Sequence, residues 1–462
     1  MFKELIKKKD KITLYKGILL VLILFFLPMI SKNLDHLFNK HSLRFLHFYD
    51  FFILAILSVL VIKKEKFLKN TTISEWFLFS YIIILRVSLI FAKNPIHHRA
   101  FIELLLVTIA AFGFFIFKAN YFKKNKEFFL KVFFIAIFTG AFFESVIGIM
   151  QFILQKPLGF FFEPNFGDKI LGSATIFLKE NSFMHSFFQN KTEYLRAHGT
   201  FIHPNVLSGF LCISSLLTIF QIYRSNRKLF FSSFLSLQTV AMILTFSRAA
   251  FVSFFVSVGL FFILMLIKKY EIKKVTFFFF LFFLLVISFF FKDLLERGYL
   301  GKKFQSKRAI ELNVGSSDVR KYLGFASKNM IKERPILGIG FRNFILKKDQ
   351  YSSFPIERAN VHNIYLLIAS ESGILSLIVF LLLVGIVFFK TLRGKTQPFE
   401  ITIICIVFCF LFIGFFDHYP ISSQFGKVVF FLSLGYLNFN KPLSYSLKDY
   451  LYRLLKPQKQ YH

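Results

Sequence analysis

Residues that build soluble catalytic and redox sites are scarce in this sequence. Its 462 residues include three cysteines and one tryptophan, and 25 acidic side chains stand against 58 lysines and arginines. Its two longest polar stretches, residues 155–200 and 292–360, have no CxxC pair, His-Glu-x-x-His metal motif, glycine-rich phosphate loop or internal repeat. These absences argue against a nucleotide-driven motor. Cys212, Cys405 and Cys409 all fall within apolar runs. Although Cys405 and Cys409 share a helix face, they read as packing residues rather than ligands. The first apolar run has no small-residue cleavage motif and reads as a retained anchor.

What the chain has instead is apolar length. It is 55% hydrophobic and 20% aromatic, and its apolar residues gather in runs that can cross about 30 Å of hydrocarbon as helices of roughly 17–25 residues. Twelve such runs lie near 14–30, 47–62, 76–92, 100–117, 128–154, 201–222, 229–246, 249–267, 275–291, 361–389, 401–416 and 424–439. The expected fold is an all-α polytopic membrane protein with about 12 transmembrane helices.

A formal charge of +33 invites a nucleic-acid reading, because a basic surface neutralises phosphates. The position of the charge argues against it. Eighteen lysines and arginines sit in short loops at one side of the runs, from Lys63 to Lys395, against six at the other side. By the positive-inside rule both termini are cytoplasmic. The expected organisation is then a cytoplasmic segment 1–13, nine spans over 14–291 with an outer loop 155–200, a large outer loop 292–360, three spans over 361–439, and a cytoplasmic tail 440–462. Membrane lipids are the expected partners of the excess charge, with no role for nucleic acid.

Within the second outer loop, "SSDVRKYLGFASKNMIKERP" reads as a helix near 318–333, with Ser316, Ser317 or Asp318 able to cap it and Pro335 beyond its end. Its apolar positions recur every three or four residues, which suggests an amphipathic helix on the outer membrane surface. The following "PILGIGFRNF" puts two glycines in a turn.

Polar residues collect at the outer ends of the runs: Arg196, His198, His203 and Asn205; Ser247 and Arg248; His362 and Asn363; Asp417 and His418. An arginine costs about 2.5–3.5 kcal/mol at the centre of a membrane helix and less near its edge, so several together ask for an anionic partner. A diphosphate fits, because guanidinium groups bind phosphate oxygens through paired charge-assisted hydrogen bonds. His362, at a helix start, is placed to act as a base. Pro204 suits a first helical position, so His203 reads first as a cap. Arg99 and Glu103 are spaced for a surface ion pair, Arg86 for snorkelling, and Glu144 has no evident role.

The stretches "RAHGTFIHPNVLSGFL", "LTFSRAAFVSFF", "RPILGIGFRNF", "VHNIYLLIASESGI" and "FDHYPISSQFGKVVFFLSLGY", in this order over residues 190 to 440, resemble the bacterial O-antigen ligase and polymerase family. The resemblance implies a GT-C-type architecture and a metal-independent, inverting glycosyltransferase without cofactors. Such an enzyme moves a glycan from undecaprenyl diphosphate to an acceptor hydroxyl, on lipid A core or on a growing glycan, at the periplasmic face of the inner membrane. It also implies that Arg196 and Arg248 bind the donor diphosphate, that His362 is the base, and that Arg320 assists. Asn363, His203, Asp417 and His418 are the further candidates for binding substrate.

Each residue has a plainer role open to it: Arg248 as a lipid anchor, Arg196 as a structural group, His362 or Asn363 as a helix cap, Asp417 and His418 as a structural pair. Among functions, a ligase is favoured over a polymerase. A protein O-oligosaccharyltransferase, a polysaccharide transporter and an envelope scaffold are the alternatives.

Overall fold

A computed structural model describes residues 71–92, 98–159, 175–177, 193–272, 316–352 and 359–439. The expected spans at 14–30, 47–62 and 275–291 lie outside these residues, as do much of both long loops and the tail. Each of the other nine expected runs coincides with a helix.

In chain order the helices are α1 (Ile73–Ile90), α2 (His98–Phe112) with a 3-10 extension (Gly113–Lys118), α3 (Asn120–Lys124), α4 (Lys126–Leu154), α5 (Pro204–Arg224), α6 (Lys228–Leu244), α7 (Arg248–Ile267), α8 (Ser316–Glu333), α9 (Phe344–Lys347), α10 (Ile364–Arg393), α11 (Pro398–Ile413), α12 (Tyr419–Ser422) and α13 (Gln424–Phe439). A short antiparallel pair, β1 (Thr175–Phe177) and β2 (Glu193–Leu195), lies between α4 and α5. Among the described residues five helices are long and apolar enough to cross a bilayer: α1, the stretch Phe133–Leu154 of α4, α5, α7 and α10. With the shorter apolar α6 and α11, they make this a multi-pass membrane protein.

Local chemistry sets the helix starts. Thr72 N–H donates to Glu75 Oε2 over 2.6 Å in the capping box of α1. The Asn205 N–H donates to Nδ1 of His203 over 3.0 Å, with Pro204 at the first position of α5. Asn363 Oδ1 accepts from the Leu366 N–H over 2.9 Å at the start of α10.

Helix α5 is the hub. It packs against α6 and α11 and is buried on nearly every face, from Leu207 and Phe210 to Leu217 and Ile222. Its small residues Ser208, Ser214 and Ser215 are fully buried, which lets neighbouring backbones come close. Around it α7 packs on α11, α4 on α6, α10 on α1, and α13 on α2 and its 3-10 extension.

Helix α10 is broken at Gly373, whose φ of 86° and ψ of 164° are not helical. A break frees backbone groups that must find partners in an apolar setting. The turn 335–340 supplies them: the Ile339 N–H donates to Ser370 O, Gly340 N–H to Glu371 O, and Ile374 N–H to Pro335 O, over 2.9, 2.9 and 2.7 Å. A Cβ on Gly373 would lie 1.8 Å from Ile336 O, so only glycine fits this approach.

Helix α8 corrects one expectation. Its apolar stripe, Leu323, Ala326 and Met330, is fully buried and packs on α10 rather than on lipid. Leu323 and Met330 share a cluster with Phe344 and Leu367, and Ser327 Oγ donates to Leu366 O over 3.1 Å. Glu103 is not at the surface either. It is buried and bridges Arg342 Nη2 at 2.7 Å and Lys427 Nζ at 3.1 Å, while the side chain of Arg99 lies outside the described residues.

Candidate functional site

The site is assembled where the starts of α5, α7 and α10 meet the turn between α11 and α12. Its first wall is the turn 196–203, which α4 braces from behind. The Thr200 N–H donates to Glu144 Oε2 over 2.8 Å, and the Thr200 hydroxyl donates to the other oxygen of the same carboxylate. Gln151 Oε1 accepts from the Gly199 N–H over 2.8 Å, and its amide donates to Gly199 O over 2.8 Å. Gly199 has a φ of 59°, and a Cβ there would lie 2.0 Å from Glu144 Oε2. Glu144 and Gln151 therefore fix a turn whose backbone donors and acceptors would otherwise be buried unpaired.

Arg196 is buried, with 1% of its surface exposed. Its Nε donates to Thr245 O over 2.7 Å and its Nη2 to Asn205 Oδ1 over 2.8 Å. The Ala197 N–H donates to Leu244 O over 2.9 Å, so the segment is pinned along the α6–α7 turn. Asn205 in turn donates from Nδ2 to Asp417 Oδ2 over 2.7 Å. The other carboxylate oxygen, Oδ1, accepts from the His418 N–H over 2.8 Å and stands 3.5 Å from Nδ1 of His362.

His362 and His418 face each other with ring centroids 5.4 Å apart, and Nδ1 of His418 shares a 2.6 Å hydrogen bond with Ser422 Oγ. The Nδ1 atom of His362 is buried while the side chain as a whole is 27% exposed; the open part of the ring is thus away from Asp417. Asn363 caps α10 and donates from Nδ2 to Phe415 O over 3.2 Å, which ties the start of α10 to the α11–α12 turn.

The charges in this cluster oppose one another. Burial alone would raise Asp417, but the facing His362 and the nearby His418 and His203 outweigh it and hold the carboxyl well below the usual range. Burial pushes His418 down to about 4, helped by the positive charges of His362, Arg342 and Arg320 and opposed by Asp417. His418 is thus neutral near pH 7.

Arg248, the first residue of α7, and Arg320, on α8, are both exposed. They lie close enough to repel each other electrostatically, and Arg320 also acts on His418. Neither guanidinium has a hydrogen-bonding or ion-pair partner among the described residues. Two unbonded guanidinium groups sharing one region suit an anion with several oxygens.

The sequence-derived candidates thus divide. Arg196, Asn205, Asp417 and His418 form one hydrogen-bonded chain that His362 faces across 3.5 Å, while Arg248 and Arg320 are exposed beside it. His203 and Asn363 are helix caps that border it. Sequence reasoning missed the bracing of the 196–203 turn by Gln151, and the Glu103–Arg342–Lys427 bridge; only the placing of Glu103 and Glu144 within apolar runs signalled them.

No curated protein matches the chain. Residues 231–381 match the family described as O-antigen ligase, a segment that contains Arg248, Arg320, His362 and Asn363. The match takes in three of the five stretches noted in the sequence, those around Arg248, Gly338 and His362, and not those around Arg196 and Asp417. Over residues 231–381, about a third of its length, the chain is similar to the O-antigen ligase family.

Proposed function

We propose that the protein transfers a glycan from undecaprenyl diphosphate to an acceptor hydroxyl, and that it is a ligase whose acceptor is lipid A core. The observation that carries this reading is the pairing of an oriented histidine with two exposed, unbonded arginines. The negative charge of Asp417, 3.5 Å from Nδ1, favours the tautomer of His362 that keeps its proton on Nδ1, leaving Nε2 free to accept one. The acceptor oxygen attacks the anomeric carbon, its proton passes to Nε2, and the bond from that carbon to the diphosphate oxygen breaks. Direct displacement inverts the anomeric centre.

Arg248 and Arg320 offset the charge that grows on the departing diphosphate. These groups supply the base and the charge compensation, so the scheme needs no metal or cofactor. Arg196 acts at one remove in this scheme, as a positioning residue for Asn205 and Asp417. We place the site at the periplasmic face of the inner membrane, in a chain of about twelve spans with cytoplasmic termini and a GT-C-type architecture. The support is the lysine and arginine asymmetry of the short loops.

A polymerase of the same family is the second reading, because the motif set is common to both. A deletion strain separates them. Loss of a ligase leaves long polymer on undecaprenyl diphosphate, whereas loss of a polymerase leaves single repeats on the acceptor. Unchanged pools in cells that normally express the gene would defeat both readings.

A further inference from the structure

The 3.5 Å between His362 Nδ1 and Asp417 Oδ1 exceeds the N–H···O hydrogen-bond range of about 2.7–3.2 Å. It is close to the separation of roughly 3.3 Å between two ligand atoms on one tetrahedral zinc ion, given bonds of about 2.0–2.1 Å. His418 adds a third donor, and one ligand atom from each of the three residues lies within 4.8 Å of the others. Two imidazoles and a carboxylate are a borderline donor set that suits zinc and its neighbours rather than magnesium or calcium.

The surroundings also resemble a metal site. Asp417 is held by Asn205 through Oδ2, and His418 is oriented by Ser422; such outer hydrogen bonds align ligands around a metal. The Nδ1 atom of His362 is buried and faces Asp417 Oδ1 at 3.5 Å, itself a ligand of the proposed site, so an ion between them displaces no hydrogen bond of normal length. Three protein ligands leave a fourth position for water or a substrate oxygen.

We infer that His362, Asp417 and His418 form a binding site for a zinc-class divalent ion, and that its occupancy turns transfer off. The second half rests on the proposed role of His362 as base. Coordination through Nδ1 requires that nitrogen to be unprotonated, so the neutral ring carries its proton on Nε2. The atom that must accept the acceptor's proton then already bears one.

The test uses the full chain in lipid nanodiscs. Zinc affinity is measured by competition with a chromophoric chelator, with magnesium as the control ion, on the parent protein and on H418Q and D417N. Thermal melts without metal verify that each variant is folded. The expected result is saturable zinc binding that weakens at least tenfold in both variants, no magnesium binding, and transfer that zinc inhibits and a chelator restores.

Absence of saturable zinc binding, or affinity unchanged in both variants, overturns the site. A zinc-loaded chain as active as the metal-free one overturns the switch. Full activity in H362A would instead overturn the base assignment, while the binding measurement stands apart from it.

Discussion

The side-chain amide of Asn205 donates to Asp417 over 2.7 Å, joining the start of α5 to a turn 212 residues away. The same amide accepts from Arg196. One side chain therefore relays the position of a buried arginine to the carboxylate that faces His362.

Removing Arg196 is expected to act first on stability. An R196A variant leaves Asn205 Oδ1 and Thr245 O without these donors in a buried setting, at a cost of about 1–3 kcal/mol for each group left unsatisfied. Thermal unfolding in detergent should show a clear fall in midpoint. R196K, which cannot reproduce both bonds, should recover it only in part. An R196A protein with unchanged melting and lowered donor affinity would return Arg196 to direct diphosphate binding.

A dyad predicts non-additive kinetics. Loss of the base in H362A should lower turnover by roughly 10²–10⁴-fold, with normal yield of protein because the ring is partly exposed. D417N should give a smaller loss. Combining them should cost little beyond H362A alone, since Asp417 acts through the ring that is gone. A double variant whose losses simply multiply would show that the two residues work separately.

The exposed arginines make the opposite prediction to Arg196. R248A and R320A should melt like the parent chain while transfer falls. Each lost charge-assisted contact is worth about 1.5–3 kcal/mol, or roughly 10–150-fold. Lysine at either position should restore part of the activity, because it supplies the charge but not the paired geometry. Transfer assays on lipid-linked donor, with melts in parallel, read both effects.

His418 sets a signature in pH. Its folded pKa of about 4 lies below the ordinary histidine value of 6.5, so between those limits the unfolded chain binds the extra proton and the folded one does not. Stability then rises with pH across this window and is lost as pH falls from 6.5 toward 4. H418Q, which cannot titrate, should show a flatter melting curve over the same range. Equal slopes for the two proteins would remove His418 as the source.

The helices were legible because apolar runs mark them directly, and nine runs that fall on described residues all became helices. Arg196, His362 and Asp417 stood out because polar groups at the ends of such runs are costly. What each one does was not legible. Nothing in "RAHGT" distinguishes a buried arginine bonded to Thr245 from an exposed one, because burial is set by α4 and α6 arriving from elsewhere. Periodicity gave the apolar stripe of α8 but not its partner, which is α10 rather than lipid. The break at Gly373 was hidden as well, since a glycine inside an apolar run reads as a tolerated helix residue.

That break divides α10 by what holds each part in place. The portion after Gly373 is a long apolar segment held by its packing, with Val379, Phe380, Leu383 and Val387 buried in the core. The portion before it, which begins next to His362, is fastened through the turn 335–340 and through α8. The placement of the histidine therefore rests on the turn and on α8, which lie on its own side of the break.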